Sequence, residues 1–213
     1  MGGYYNGVMT AVNSSNGRAG LLEAAARLFA AEGPSALTVR RLAREMGTST
    51  MALYSNFSGK EELIAATADE FISRFAAALR GVPRTDDALA DFIGIGRTYR
   101  AVSLANPHLY RVAFQSGRLS LLDDTPRGTA DIFAYCAEML ARCVEQGALP
   151  GGAPVPMLIA LWTGVHGQVG LELERLFPSP DGGATAWESL FRALLIGLGA
   201  DPVHVARALS VQP

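Results

Sequence analysis

Residues 38–60, TVRRLAREMGTSTMALYSNFSGK, hold two short helical patterns around a tight turn. Leu42, Ala43 and Met46 make an apolar face on the first pattern, and Ala52, Leu53 and Phe57 on the second. Gly47 stops the first helix, because glycine enters positive φ at no steric cost. Ser49 is suited to cap the second by accepting a backbone N–H bond. Helix, glycine-containing turn and helix is the helix-turn-helix arrangement, whose second helix enters the major groove of double-stranded DNA.

The polar residues of the stretch suit that task. Thr38, Arg40 and Arg41 open the first helix, with Arg44 one turn on. Thr48, Ser49, Thr50 and Tyr54 place hydroxyls at the start and outer face of the second, for phosphate oxygens and base edges, and Met51 is placed to touch a thymine methyl. Ser58 and Glu61 read as a capping box. The helix start that they mark, with Lys60 beside its free N–H groups, forms a phosphate clamp.

At these residues the chain resembles the TetR family of bacterial transcriptional regulators. The pattern Tyr-x-His-Phe-x-x-Lys-x-x-Leu is matched by Tyr54, Asn56, Phe57, Lys60 and Leu63. Asn56 replaces the usual His and still donates to phosphate. The resemblance implies an all-α fold: an N-terminal three-helix helix-turn-helix DNA-binding domain followed by a C-terminal helical ligand-binding and dimerisation domain, about nine helices in all. The expected divisions are an arm at 1–17, expected to be disordered, the DNA-binding domain at 18–63 and the second domain at 64–213.

Composition bounds the function. The chain has 213 residues, is 49% hydrophobic and carries a net charge of −2, so it is neither disordered nor polyanion-binding by overall charge. Between Arg18 and Leu63, Arg18, Arg27, Arg40, Arg41, Arg44 and Lys60 stand against Glu23, Glu32, Glu45, Glu61 and Glu62, a balance of +1. DNA binding therefore rests on where the cations sit. Cys136 and Cys143 are seven apart in a helical pattern, about 10.5 Å along a straight helix, too far for a disulfide. They read as buried small hydrophobes in a reducing cytosol. No metal-ligand spacing, catalytic motif or cofactor fingerprint accompanies them; GIGRTY at Gly94 fails the glycine-rich nucleotide pattern. The opening MGGYYNGVMT lacks the basic and apolar regions of a signal peptide, and no apolar run approaches a membrane span, so a cytoplasmic, non-enzymatic protein is expected.

Helical periodicity continues through the chain. A first helix is expected at Gly20–Glu32, ended by Gly33-Pro34, and a long one from Ser58 to about Arg80. Further helices are expected from Asp86 to about Ala105, after Asn106-Pro107, at Gly128–Gln146, from Met157 to about Leu176, and from a capping box at Thr185 and Glu188. The segment 117–126 reads as a polar loop, and residues after Asp201-Pro202 as a short turn or tail.

In the second domain Trp162, Gly164, His166 and Gly167, with NPHLYRVAF at 106–114, resemble the Trp-His-Gly branch of the same family. Gly164, Gly167 and Leu171 leave a smooth helix face. With Leu190 and Leu194 of the last long helix, it can form a four-helix homodimer interface. Tyr99, Tyr110, Phe114, Phe133, Trp162 and His166 are candidates for a cavity that takes a small apolar or aromatic effector. Aromatics at helical spacing are also ordinary core. The expectation is a homodimeric one-component regulator, a repressor of a palindromic operator. Two other readings stay open: a small-molecule carrier or all-α enzyme with a vestigial helix-turn-helix, and a constitutive DNA binder without effector.

Overall fold

The computed structural model describes residues 14–116 and 127–211. Among these residues it has ten helices and no strand. They are α1 Ser14–Glu32, α2 Val39–Glu45, α3 Thr50–Tyr54, α4 Lys60–Arg80, α5 Ala88–Ala105, α6 Pro107–Gln115, α7 Arg127–Glu145, α8 Pro154–Leu173, α9 Pro180–Gly197 and α10 Pro202–Ser210. The chain divides into two compact units, Met1–Ser73 with Asn106–Pro126, and Arg74–Ala105 with Arg127–Pro213.

In the first unit α1 packs on α2 and on α6, and α2 on α3. Leu22, Ala25 and Phe29 of α1 are buried with Leu37, Leu42, Ala43, Leu53, Phe57, Leu63 and Phe71. Gly33, at φ 81°, ends α1 by donating to the Phe29 carbonyl at 2.8 Å. Phe71, Tyr110 and Phe114 form an aromatic cluster, with Phe71–Tyr110 edge to face at 5.7 Å and Tyr110–Phe114 at 4.6 Å.

α1 begins at Ser14, upstream of the Gly20 expected from sequence. Once the apolar turns downstream have nucleated the helix, each residue added backward gains a hydrogen bond, which carries the helix through Gly17 and Gly20 although each costs about 1 kcal/mol relative to Ala. Residues 14–17 of the expected disordered arm are thus helical; residues 1–13 and the loop at 117–126 lie outside the described residues. Met46 and Ala52, expected on inner faces, are exposed. Ala52 adjoins buried Leu53, and the 100° step of the helix carries it outward, while Met46 is the C-cap, past the last helical residue of α2.

In the second unit α5 packs against α7, α8 and α10, and α9 lies on α8. Two glycines permit close packing against α9. A Cβ on Gly96 would stand 2.8 Å from the Phe191 ring and 3.0 Å from that of Trp187. Those two rings stack at 4.8 Å. A Cβ on Gly164 would stand 2.7 Å from Leu194 Cδ1. Asp91, its side chain only 3% exposed, takes Arg142 Nη1 at 3.0 Å and the Thr85 hydroxyl at 2.7 Å. Arg100 Nε and Nη2 grip the Glu172 carboxylate at 2.8 and 2.6 Å.

The last helices start earlier than their sequence signals suggest. Ser179 caps α9 by accepting from Gly182 N at 3.1 Å, with Pro180 in the first turn. Thr185 therefore lies one turn inside, because a Ser-Pro start with Asp181 behind it satisfies the free N–H groups sooner. α8 similarly opens at Pro154. The segment after Asp201 is a nine-residue helix, not a turn, capped by Asp201 on His204 N at 2.8 Å and anchored by buried Val205, Ala208 and Leu209. Cys136 and Cys143 are free thiols, and burial pushes both up to about 12.

Gly96→Ala forces the Phe191 and Trp187 rings to move and lowers stability by about 1–3 kcal/mol. Gly20→Ala, whose Cβ meets nothing within 4 Å, raises it by about 0.5–1 kcal/mol. Thermal unfolding of the two variants checks the contrast.

Candidate nucleic-acid interface

The interface is built on two capped helices. Thr38 is extended (φ −128°, ψ 152°) and its hydroxyl accepts from Arg41 N at 3.1 Å. Gly47, at φ 61°, lets the chain double back, so that Thr48 N reaches the Ala43 carbonyl at 3.0 Å. Ser49 caps α3 by accepting from Ala52 N at 3.2 Å. α3 is then held by buried Leu53, with Phe57 behind it, and its other residues face outward. Met51 is 81% exposed and Tyr54 56%.

Among the residues expected at DNA, Thr48, Ser49, Thr50, Met51 and Tyr54 come together on α3 and its lead-in. Thr38, Arg40 and Arg41 lie at the start of α2, and Asn56 and Lys60 lie past α3. The Asn56 amide turns back to donate to the Ala52 carbonyl at 2.9 Å. Arg41 is held between Glu32 at 2.9 Å and Glu45 at 3.0 Å, which raises its pKa further. Arg40, Arg44 and Lys60 have no ion-pair partner among the described residues.

The capping box expected of Ser58 and Glu61 is replaced by a pairing of Ser58 with Glu62. Ser58 N and Oγ both donate to Glu62 Oε2, each at 2.6 Å, so the partner is Glu62 and not Glu61. α4 starts at Lys60, and Leu63 N bonds the Gly59 carbonyl at 3.1 Å, which puts Gly59 at the N-cap, Ser58 one residue before it and Glu62 at the third helical position. The Ser58 hydrogen bonds hold the Glu62 carboxyl below its usual range. The helix start leaves Lys60 at the first helical position, beside N–H groups with no intrahelical acceptor.

The aromatic candidates divide. In the second unit the Tyr99 hydroxyl lies 2.9 Å from His166 Nδ1, and the Trp162 and His166 rings stand 5.1 Å apart. Phe75 meets Tyr99 edge to face at 5.0 Å. Burial lowers the His166 pKa, which suits a neutral ring accepting the Tyr99 proton at Nδ1. Tyr110 and Phe114 belong to the first unit's cluster with Phe71. Phe133 is half-buried on α7. Sequence reasoning did not find a cavity of about 490 Å³ in the second unit, lined by Arg100, Leu104, Glu172, Arg175 and Phe177. Its size suits a small molecule. Its signal was slight: Arg100 and Glu172 are far apart in sequence and show no shared spacing.

Of the expected dimer residues, Gly164 is closed over by Leu194 and Leu190 of the same chain. Gly167 has nothing within 4 Å of its Cβ position, and Leu171 is 46% exposed. Val155, Ile159, Thr163, Gly167 and Leu171 are all exposed on α8 at four-residue spacing, an uncharged stripe. Among the described residues there is no group of His, Cys, Asp or Glu able to hold a metal. Nor is any helix among them long and apolar enough to cross a membrane.

A glycine-turned pair of short helices, capped at both starts and exposing the second, defines a helix-turn-helix DNA-binding protein. Residues 21–67 match the family model "Bacterial regulatory proteins, tetR family", and residues 92–194 the model "Tetracyclin repressor-like, C-terminal domain". The chain belongs to the TetR family of transcriptional regulators. It is similar to an uncharacterised HTH-type transcriptional regulator of Mycobacterium tuberculosis, 28% identical over 191 residues, covering 88% of this chain and 84% of that one. Among solved structures, the TetR family regulator PfmR of Thermus thermophilus shares the fold at TM-score 0.70 and 22% identity, over 84% of this chain and 98% of that chain. The ketosteroid transcriptional regulator of Mycobacterium tuberculosis does so at 0.66 and 21%, over 88% and 97%.

Because the unfolded chain protonates His166 near its ordinary value of about 6.5, and the folded ring only below it, its contribution to stability is full above that value and declines as pH falls through it. Urea unfolding at pH 8 and pH 5.5 should show a larger loss for the wild type than for His166→Gln.

Proposed function

We propose that this regulator is a cytoplasmic repressor that binds a palindromic operator as a homodimer and leaves it when a small apolar or aromatic effector binds. The observation that carries the reading is the exposed face of α3, presented by the Gly47 turn and flanked by Arg40, Arg44 and Lys60. Phosphates are met by those cations and by the start of α4, and bases by α3. Residues 18–63 act as the DNA-binding domain and 64–213 as the effector and dimer domain.

The uncharged α8 stripe supports the dimer. An apolar face with no charge along five successive turns is stable in water when a second copy covers it, and a two-fold axis pairs the stripe with itself. The Tyr99–His166–Trp162 cluster supports the effector, since apolar rings with one or two polar tips orient a small ligand. A relative in fold that is a ketosteroid regulator agrees with an apolar effector. The effector must prefer the state with mismatched recognition helices; a coupling of about 1–3 kcal/mol is enough to control occupancy.

Selection of bound sequences from random duplex DNA should return a palindrome with half-sites about 34–36 Å apart. Recovery of no sequence at low salt would reject the reading and favour a carrier or enzyme; a palindrome with no effector response would favour a constitutive binder. Lys60→Ala should weaken binding to every sequence alike and reduce the salt slope by about one. Tyr54→Ala should bind poorly while remaining dimeric. Leu171→Glu should yield monomers by light scattering, with operator affinity lost in proportion.

A further inference from the structure

The outward residues of α3 are unusual for a DNA reader in what they lack. The helix is Thr50-Met51-Ala52-Leu53-Tyr54. It has no Arg, Lys, Asn, Gln, Asp or Glu, the side chains that read guanine, adenine or cytosine edges by hydrogen bonds. The nearest amide, Asn56, is engaged with the Ala52 carbonyl and the Ser55 hydroxyl. The Ser49 hydroxyl is engaged as the helix cap.

Beside the Thr50 and Tyr54 hydroxyls, what α3 offers is apolar. Met51 is the most exposed large hydrophobic side chain among the described residues of the chain. Ala52 is exposed next to it, and Thr50 adds a methyl group. Among the described residues of the first unit the exposed large hydrophobic side chains, Met46, Met51 and Tyr54, all lie in the helix-turn-helix. Exposed apolar residues gathered on one short stretch mark a surface for a partner, and one surface that α3 is shaped to enter carries isolated methyl groups: the thymine C5 position in the major groove.

We infer that the operator half-site is recognised through thymine methyl groups, with Met51 as the specificity-determining residue and Ala52 and the Thr50 methyl beside it. This deepens the proposed function and rests on it. Met51 reaches furthest and is unbranched, so it can settle against a methyl without a fixed hydrogen-bond geometry. The readout is of a methyl group and not of a base pair as such. It therefore responds to the methyl alone, while the phosphate contacts of Arg40, Arg44 and Lys60 stay unchanged.

The test uses the full-length protein and the palindromic duplex it selects. Each thymine of a half-site is replaced, symmetrically and one position at a time, by deoxyuridine, which removes only the methyl. The expected result is one or two positions where affinity falls about fourfold per half-site, the worth of burying one methyl-sized group. At those positions, replacing the T·A pair by 5-methylcytosine·G should bind better than replacing it by C·G. Met51→Gln, a change at an exposed site, should abolish the response to deoxyuridine, and Met51→Leu should keep it. Affinity unchanged within twofold by deoxyuridine at every position, with tight palindrome binding intact, would overturn the inference and leave the regulator reading standing. An equal deoxyuridine response in Met51→Gln would overturn the role of Met51. Failure to select any palindrome would overturn both the inference and the reading beneath it.

Discussion

The left-handed turn at Gly47 is the constraint on which the DNA-facing surface depends. At φ 61° the chain reverses within a residue, and Thr48 N closes on the Ala43 carbonyl. A side chain there would strain the backbone even though space is open around it. That turn sets the angle between α2 and α3, and the angle decides which side of α3 is buried. With Leu53 and Phe57 inward, the four other residues of α3 are left in water. The apolar exposure of Met51 is thus a consequence of backbone geometry at a position that is not itself in the interface.

Glycine has a different role in the second unit. Gly96 and Gly164 are used inside the chain, each by a large side chain of α9 that occupies the space a Cβ would need. Gly167, one turn beyond Gly164, meets nothing. The smooth face read from the sequence therefore has two destinations. One part seats α9 on α8, and the other opens outward beside Leu171. Residue type alone does not separate them, since both uses ask for the same absence of a side chain. The difference comes from which turn of α8 lies under Leu194, a tertiary fact.

Much of the fold was legible in local chemistry. Gly33, Gly47 and Ser49 do what their conformational preferences dictate, and the helices were placed to within a few residues at most ends. Cap registers were less legible. Ser58 pairs with Glu62 and not Glu61, and α9 starts at Ser179 and not Thr185, because several residues of a cap-forming type stood close together and the choice among them depends on where packing lets the helix begin. Met46 and Ala52 were misassigned because an inner face was read from apolarity alone. In a five-residue helix there is too little periodicity to distinguish an apolar residue that packs from one that is displayed. The aromatic candidates divided for a related reason: Tyr99, Trp162 and His166 meet through contacts between α5 and α8, whereas Tyr110 and Phe114 meet Phe71 in the first unit.

Charge placement connects the two parts of the recognition argument. Arg41 looked like a phosphate ligand, yet it spans Glu32 and Glu45, linking α1 to α2. Those pairs are partly exposed, so each contributes little to stability. Within residues 38–60, three cations per protomer have no ion-pair partner: Arg40, Arg44 and Lys60. A dimer using all of them would neutralise about six phosphates, a salt slope of roughly −5. That is a moderate electrostatic anchor on a chain whose net charge is −2. Such an anchor positions the protein without distinguishing sequences, so discrimination falls to α3. A helix whose hydrogen-bonding side chains are only the Thr50 and Tyr54 hydroxyls relies chiefly on shape and methyl contact, through the side chain that the Gly47 turn leaves most exposed.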